Sequence, residues 1–326
     1  MLMKSLKKIL KTFLLSIGLF AVLIAVLFVH RDIPVHELKE VYAASPSAFI
    51  TMDGMDVHYR DEGNLSDSIP IVLIHGTGAS LHTFNDWASA LKKEHRVLRM
   101  DLPAFGLTGP FPNRDYSIEH YVEFLAHFLK AKKIKKCVLV GNSLGGRIAW
   151  NFTLKHPEMI HKLVLIDASG YPSESKSIPI AFKLASIPVL NKLLTFITPR
   201  FMAKASVENV YVDKTKVTEE LVDRYFKLTL RAGNRQALVD RMSAISKEEK
   251  TYRRINTIQQ PTLVLWGAQD LLVPLSNAHQ FHKDLPNSSL VILKNVGHVP
   301  MEESPIESLN ALTHFLKNKY PLIICP

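Results

Sequence analysis

Six short apolar runs, each followed closely by glycine, aspartate or histidine, constrain this chain more than any other feature. Ile69 to Ile74 reads IPIVLI and meets His75-Gly76. Val97 to Met100 meets Asp101, and Cys137 to Val140 meets Gly141. Leu163 to Ile166 meets Asp167, Thr262 to Trp266 meets Gly267, and Ser289 to Leu293 lies just before Gly297-His298. Little polar alternation marks these runs, as in strands covered on both faces of a parallel sheet. Stretches with helical spacing separate them: Leu81 to Lys93, Ile118 to Ala131, Gly145 to Lys155 and Ile306 to Asn318. This alternation predicts an α/β fold with an open, mostly parallel central sheet flanked by helices. Ligand sites in such sheets gather beyond the carboxyl ends of the strands. Ahead of the first run, Phe49 to Gly63 reads as a hairpin turning at Asp53-Gly54.

The strand–helix rhythm breaks between Gly170 and about Arg254, where apolar and charged residues recur at helical spacing, as in TEELVDRYFKLTLRAGNRQALVDRM. Prolines at 179, 188 and 199 interrupt the first part. The expected layout is an N-terminal membrane anchor over 1–31 and a linker over 32–47. The first part of the core follows over 48–169, then a helical cap over 170–255 and the second part of the core over 256–326.

Thr12 to Val29 holds eighteen residues without a charge, after the basic MLMKSLKKILK. Its length fits the lower end of a membrane-spanning helix. The lysines before it place the N-terminus in the cytoplasm and the main domain on the far side, periplasmic or extracellular in a bacterium. The alternative is a cleaved signal peptide and a secreted protein. Residues 30–47 then read as a juxtamembrane linker.

The net charge is +10, and Lys4, Lys7, Lys8, Lys11 and Arg31 supply five of the positive charges. With no basic cluster carrying interleaved aromatics elsewhere, nucleic acid is not an expected partner. Two cysteines, Cys137 and Cys325, form neither a metal pattern nor a disulfide framework. The histidines show no metal-ligand spacing, so neither metal nor cofactor is expected.

Chemistry concentrates at the strand ends. Gly141-Asn142-Ser143-Leu144-Gly145-Gly146 follows one apolar strand and opens a helix. That is the context of a nucleophile elbow, in which a tight turn presents a serine at the start of a helix. Val72-Leu-Ile-His-Gly-Thr-Gly-Ala-Ser80 turns sharply after another strand. Its glycines free backbone N–H groups, and Thr77 together with Leu144 are the expected oxyanion donors, with Gly78 as the neighbour. Asp270 follows the strand Leu263 to Trp266, and His298 follows the next. The order Ser143, Asp270, His298 is that of a nucleophile, an orienting acid and a base. Asp167 is the alternative acid, and Asp101 reads as a structural turn residue. His75, Gly76, Gly78 and Asn142 are expected around the site. His75 holds the loop by hydrogen bonds, and Glu303 braces the helix that follows His298.

The succession HGTGAS, DLPAFGLTG, GNSLGG, WGAQD and GHVPMEESP over roughly 48 to 320 resembles the α/β-hydrolase superfamily. The resemblance implies Ser143, Asp270 and His298 as triad, Thr77 and Leu144 as oxyanion donors, and a mainly helical cap between the sixth and seventh core strands. GNSLGG is similar to the elbow of hydrolases that cleave carbon–carbon bonds in meta-cleavage products. Those enzymes commonly carry an aromatic residue after the catalytic histidine, where this chain has Val299. Epoxide hydrolases and haloalkane dehalogenases use an aspartate where Ser143 stands, whereas heme-free haloperoxidases and perhydrolases share the triad.

The expected function is a membrane-anchored, esterase- or lipase-like serine hydrolase acting on apolar or lipid-like esters, with a small-molecule ester and the lipid bilayer as partners. A meta-cleavage type carbon–carbon hydrolase is the alternative. A catalytically inactive, membrane-tethered binding protein is a third reading.

Overall fold

The computed structural model describes residues 2–172, 175–188, 190–244 and 250–317. Eight strands form one sheet: β1 (Ser47–Met52), β2 (Met55–Gly63), β3 (Ile71–Ile74), β4 (Arg96–Met100), β5 (Cys137–Asn142), β6 (Ile160–Ile166), β7 (Thr262–Gly267) and β8 (Ser288–Leu293). Their order is β1-β2-β4-β3-β5-β6-β7-β8. β1 and β2 pair antiparallel, as do β2 and β4, and all later neighbours are parallel. The hairpin turns at Asp53 and Gly54, both at positive φ (50° and 75°), which suits the right-handed twist of two strands joined by two residues.

The missing polar alternation has a direct cause. Along β3, Val72 and Ile74 enter one apolar cluster and Ile71 and Leu73 the other. β5 and β6 divide in the same way, so each strand buries both faces. Fully burying one such large apolar side chain contributes roughly 1.5–3 kcal/mol.

Helices α1 (Leu2–Phe28) and α2 (Val35–Tyr42) precede the sheet. α3 (Asn85–Leu91), α4 (Ile118–Ala131) and α5 (Leu144–Lys155) connect core strands. Among the described residues between β6 and β7 lie five α-helices: α6 (Ile180–Ala185), α7 (Leu190–Leu194), α8 (Arg200–Val210), α9 (Glu219–Thr229) and α10 (Asn234–Ala244). α11 (Ser276–Asp284), α12 (Pro300–Glu303) and α13 (Pro305–Lys317) complete the core. Trp87 of α3 and Leu312 of α13 pack on one sheet face. Phe128 of α4, Phe152 of α5 and Phe281 of α11 pack on the other.

The chain leaves the sheet centre in opposite directions from β3, first to β4 and later to β5. The crevice at such a reversal lies between the ends of β3 and β5. The HGTG loop and the Ser143 turn leave the sheet there.

The N-terminal expectation is corrected. Among the described residues no helix is long and apolar enough to cross a membrane. The single-pass anchor, the bilayer contact and the far-side placement of the domain fall with it. α1 ends at Phe28, so its uncharged part runs from Thr12 to Phe28. The end of the apolar run is used within the protein instead. Val29 bridges Ile197, His30 N–H donates to the Phe196 carbonyl at 3.1 Å, and Phe28 meets Phe201 edge to face.

Residues 30–47 are likewise no free linker. Ile33 N–H donates to the Leu230 carbonyl at 2.7 Å, and Leu38 is buried with Leu107 and Leu228. Apolar side chains at 33, 35 and 38 give this segment a surface to dock. Cys137 is a free, buried thiol on β5, and Cys325 lies outside the described residues.

Candidate active site

Ser143 stands between β5 and α5 with φ 54° and ψ −114°, in the positive-φ region that non-glycine residues rarely adopt. Its neighbours hold it there. Ser143 N–H donates to the Ile166 carbonyl at 3.0 Å, and its own carbonyl accepts from Arg147 at 3.0 Å and Ser169 at 3.2 Å. The turn requires a glycine at 145, because a Cβ there would collide with the Ile74 carbonyl. Leu144 begins α5, so its N–H is one of the free donors of a helix start, where partial positive charge accumulates.

His298 and Asp270 are brought together. His298 Nδ1 lies 2.7 Å from Asp270 Oδ2, with both side chains buried. Oδ1 of Asp270 accepts from Leu272 N–H at 2.8 Å and Val273 N–H at 3.1 Å, which fixes the carboxylate. The pairing engages Nδ1 and leaves the second imidazole nitrogen, Nε2, outside the contact with Asp270.

Asp167 does not take that place. Its Oδ1 accepts from Gly267 N–H at 2.9 Å. Burial, with Asp270 alongside, pushes its carboxyl well above the usual range. Asp167, Asp270 and His298 are the one group among the described residues whose atoms gather closely enough for a metal, within 4.8 Å. Two of those three residues are already bonded to each other.

The loop after β3 carries Gly76, Thr77 and Gly78, with Gly78 at φ +77°. His75 secures it from beneath. Leu102 N–H donates to Nε2 at 2.9 Å, so the ring proton sits on Nδ1, which donates to the Gly76 carbonyl at 2.8 Å. Complete burial lowers the His75 pKa and keeps the ring neutral. Asp101 binds turns as expected, accepting from Leu81 N–H at 2.7 Å and Leu107 N–H at 2.8 Å.

Of two supports of His298, Glu303 differs from the sequence expectation, and Asn142, expected around the site, gains a specific contact. Glu303 does not brace the following helix. Its Oε2 accepts from Gly297 N–H at 2.6 Å, and its Oε1 accepts from Val212 and Asp213 N–H groups at 2.7 Å each. It therefore ties the histidine loop to the segment after α8. Asn142 is more than a spacer before the serine, because its side-chain amide donates to the His298 carbonyl at 3.0 Å and the Ile166 carbonyl at 3.2 Å.

Ser143, His298, Thr77 and Gly78 all line one cavity of about 730 Å³. Phe182, Met202, Val207 and Leu238, from between β6 and β7, supply apolar wall. Arg235 and Arg241 of α10 also line it. Sequence reasoning missed both, since arginine in RQALVDRM looks like any cation on a solvated helix face.

The geometry has known counterparts. The uncharacterized hydrolase YugF of Bacillus subtilis is 28% identical over 282 residues, covering 84% of this chain and 99% of that protein. A 2-hydroxy-6-oxononadienedioate/2-hydroxy-6-oxononatrienedioate hydrolase of Burkholderia vietnamiensis is 30% identical over 269 residues, covering 78% of this chain and 90% of that protein. A solved membrane phospholipase A, a bacterial virulence factor, shares the fold with a TM-score of 0.71 and 24% identity, covering 96% of this chain and 97% of its own. The family model of the α/β-hydrolase fold matches residues 69–305, which hold the serine turn, the acid and the histidine, and this chain belongs to that family.

Proposed function

We propose that this hydrolase is a serine esterase that cleaves carboxylic esters of apolar acids through an acyl-enzyme. One observation carries the reading: His298, paired with Asp270 at 2.7 Å, shares an apolar-walled cavity with a serine held on a positive-φ turn.

In this mechanism His298 Nε2 accepts the Ser143 proton as Oγ attacks the ester carbonyl. Asp270 holds the Nδ1 proton and stabilises the imidazolium. The carbonyl oxygen gains negative charge, which the backbone N–H groups of Thr77 and Leu144 receive. His298 then protonates the leaving alcohol. Water, deprotonated by His298, attacks the acyl-enzyme and releases the acid, so one difficult step becomes two easier ones. Asn142, His75 and Glu303 touch no reacting atom and act by positioning the groups that do.

The test is hydrolysis of p-nitrophenyl esters from two to sixteen carbons by wild type and Ser143→Ala. Turnover that disappears in the folded variant supports the reading, and the preferred chain length measures the cavity. No turnover by folded wild type rejects it.

A second reading is carbon–carbon hydrolysis. It is favoured by the 30% identity to the Burkholderia dienedioate hydrolase. Cleavage of a meta-cleavage dienoate, without ester turnover, selects it.

A further inference from the structure

We propose that the α10 side of the cavity is an anion subsite built on Arg241, and that the natural substrate is an apolar molecule carrying one carboxylate or phosphate. This rests on the reading of the cavity as the place where substrate binds.

Arg241 is 5% exposed, lines the same cavity as Ser143 and His298, and its Nε and Nη1 have no hydrogen-bond partner. A guanidinium keeps its charge at every accessible pH. Burying such a charge without a partner is strongly unfavourable, so its presence calls for a counter-charge.

The contrast with Arg235 is informative, because both arginines belong to α10 and line the cavity. Arg235 donates to Asp32 Oδ1 through Nε at 3.1 Å and Nη2 at 2.6 Å, and to the His30 carbonyl at 2.8 Å. The protein thus supplies a counter-ion for one arginine and leaves the other open. Asp240, next to Arg241 in sequence, is committed elsewhere, accepting two hydrogen bonds of 2.7 Å from Arg114. Among the described residues lining the cavity there is no aspartate or glutamate. An entering anion therefore meets a positive centre with no carboxylate of the described lining residues competing for it.

Guanidinium donors match the paired oxygens of carboxylate and phosphate. Leu238, Val239 and Met242 beside Arg241 provide apolar wall for the rest of the molecule. The implied substrate has an ester or other cleavable bond at Ser143, an apolar body, and an anionic group reaching α10.

The experiment uses thermal unfolding of the full chain carrying Ser143→Ala, with and without Arg241→Met. The probes are monomethyl adipate, hexyl phosphate and neutral 1-hexanol. The expected result is an anion-dependent rise in Tm that Arg241→Met removes, while Tm without probe is unchanged or higher. The anion giving the larger rise distinguishes a carboxylate substrate from a phosphate one. In the Ser143 background, Arg241→Met should lower kcat/KM for the p-nitrophenyl monoester of adipic acid about tenfold or more relative to its effect on p-nitrophenyl hexanoate. A Tm response that survives in Arg241→Met, or is absent from both proteins, overturns the subsite. So does a fall in probe-free Tm with the anion response intact, which marks Arg241 as structural. Absence of ester turnover alone rejects the esterase reading, and the thermal measurement still decides Arg241.

Discussion

The side-chain amide of Asn142 donates to the main-chain carbonyl of His298 at 3.0 Å, across 156 positions of sequence. The residue before the nucleophile thereby fixes the loop that carries the base. The same amide reaches the Ile166 carbonyl, so β5, β6 and the histidine loop share one donor. Asn142→Ala removes this strut and takes from the buried His298 carbonyl its Asn142 donor, at about 1–3 kcal/mol, while the Ile166 carbonyl keeps the Ser143 N–H. The expected outcome is a 10- to 100-fold fall in kcat, with little change in KM, measured on the best p-nitrophenyl ester.

Asp270→Asn tests the orienting acid. The amide can still sit beside His298, but it favours the wrong tautomer and does not stabilise the imidazolium. A loss of about 10⁴-fold in kcat is expected. Circular dichroism and Tm should remain close to wild type, which separates chemistry from folding. Activity within tenfold of wild type would remove Asp270 from the proposed triad.

Glu303→Ala deletes the two oxygens that accept three N–H bonds, at a position 1% exposed. Buried donors left unpaired make this a severe change, at about 2–4 kcal/mol in urea unfolding. Glu303→Gln keeps an acceptor oxygen and should lose less stability than alanine. Equal loss in the two variants would mean that volume, not hydrogen bonding, explains the residue.

Acid should weaken the fold before the carboxylates titrate. Burial lowers the His75 pKa, and it lowers that of His82 from 6.5 to about 3. The unfolded chain takes up these protons below pH 6.5, whereas the folded chain resists them. Stability is therefore retained above pH 6.5 and declines as pH falls from there toward about 3. Each group contributes a slope of up to about 1.4 kcal/mol per pH unit. Urea unfolding between pH 7 and 4.5 should show the decline, and His82→Gln should flatten it. An unchanged slope in the variant would exclude His82 as a source.

The fold and the three proposed catalytic positions were legible for a local reason. A strand buried on both faces writes itself as an unbroken apolar run, as Val72–Ile74 and Val138–Val140 do. A turn that tolerates no Cβ writes itself as glycine, as at 145. Ser143, Asp270 and His298 each lie within a few residues of the end of such a run, so each could be proposed from its own neighbours. The N-terminal reading failed for the complementary reason. Hydropathy counts the residues of an apolar run but not their partners, and Val29 and the residues just after it are committed to the region of Phe196 to Thr198.

The sequence alone determined the alternation of strand and helix, the family, and the residues poised at the strand ends, because those depend on periodicity and local sterics. The tertiary structure alone decided that Glu303 latches a loop, and that among the described residues Arg241 lacks the counter-ion Arg235 has. Those are relations between side chains far apart in the chain. Their charge and hydrogen-bond balance exists only once folding brings the partners within a few ångströms.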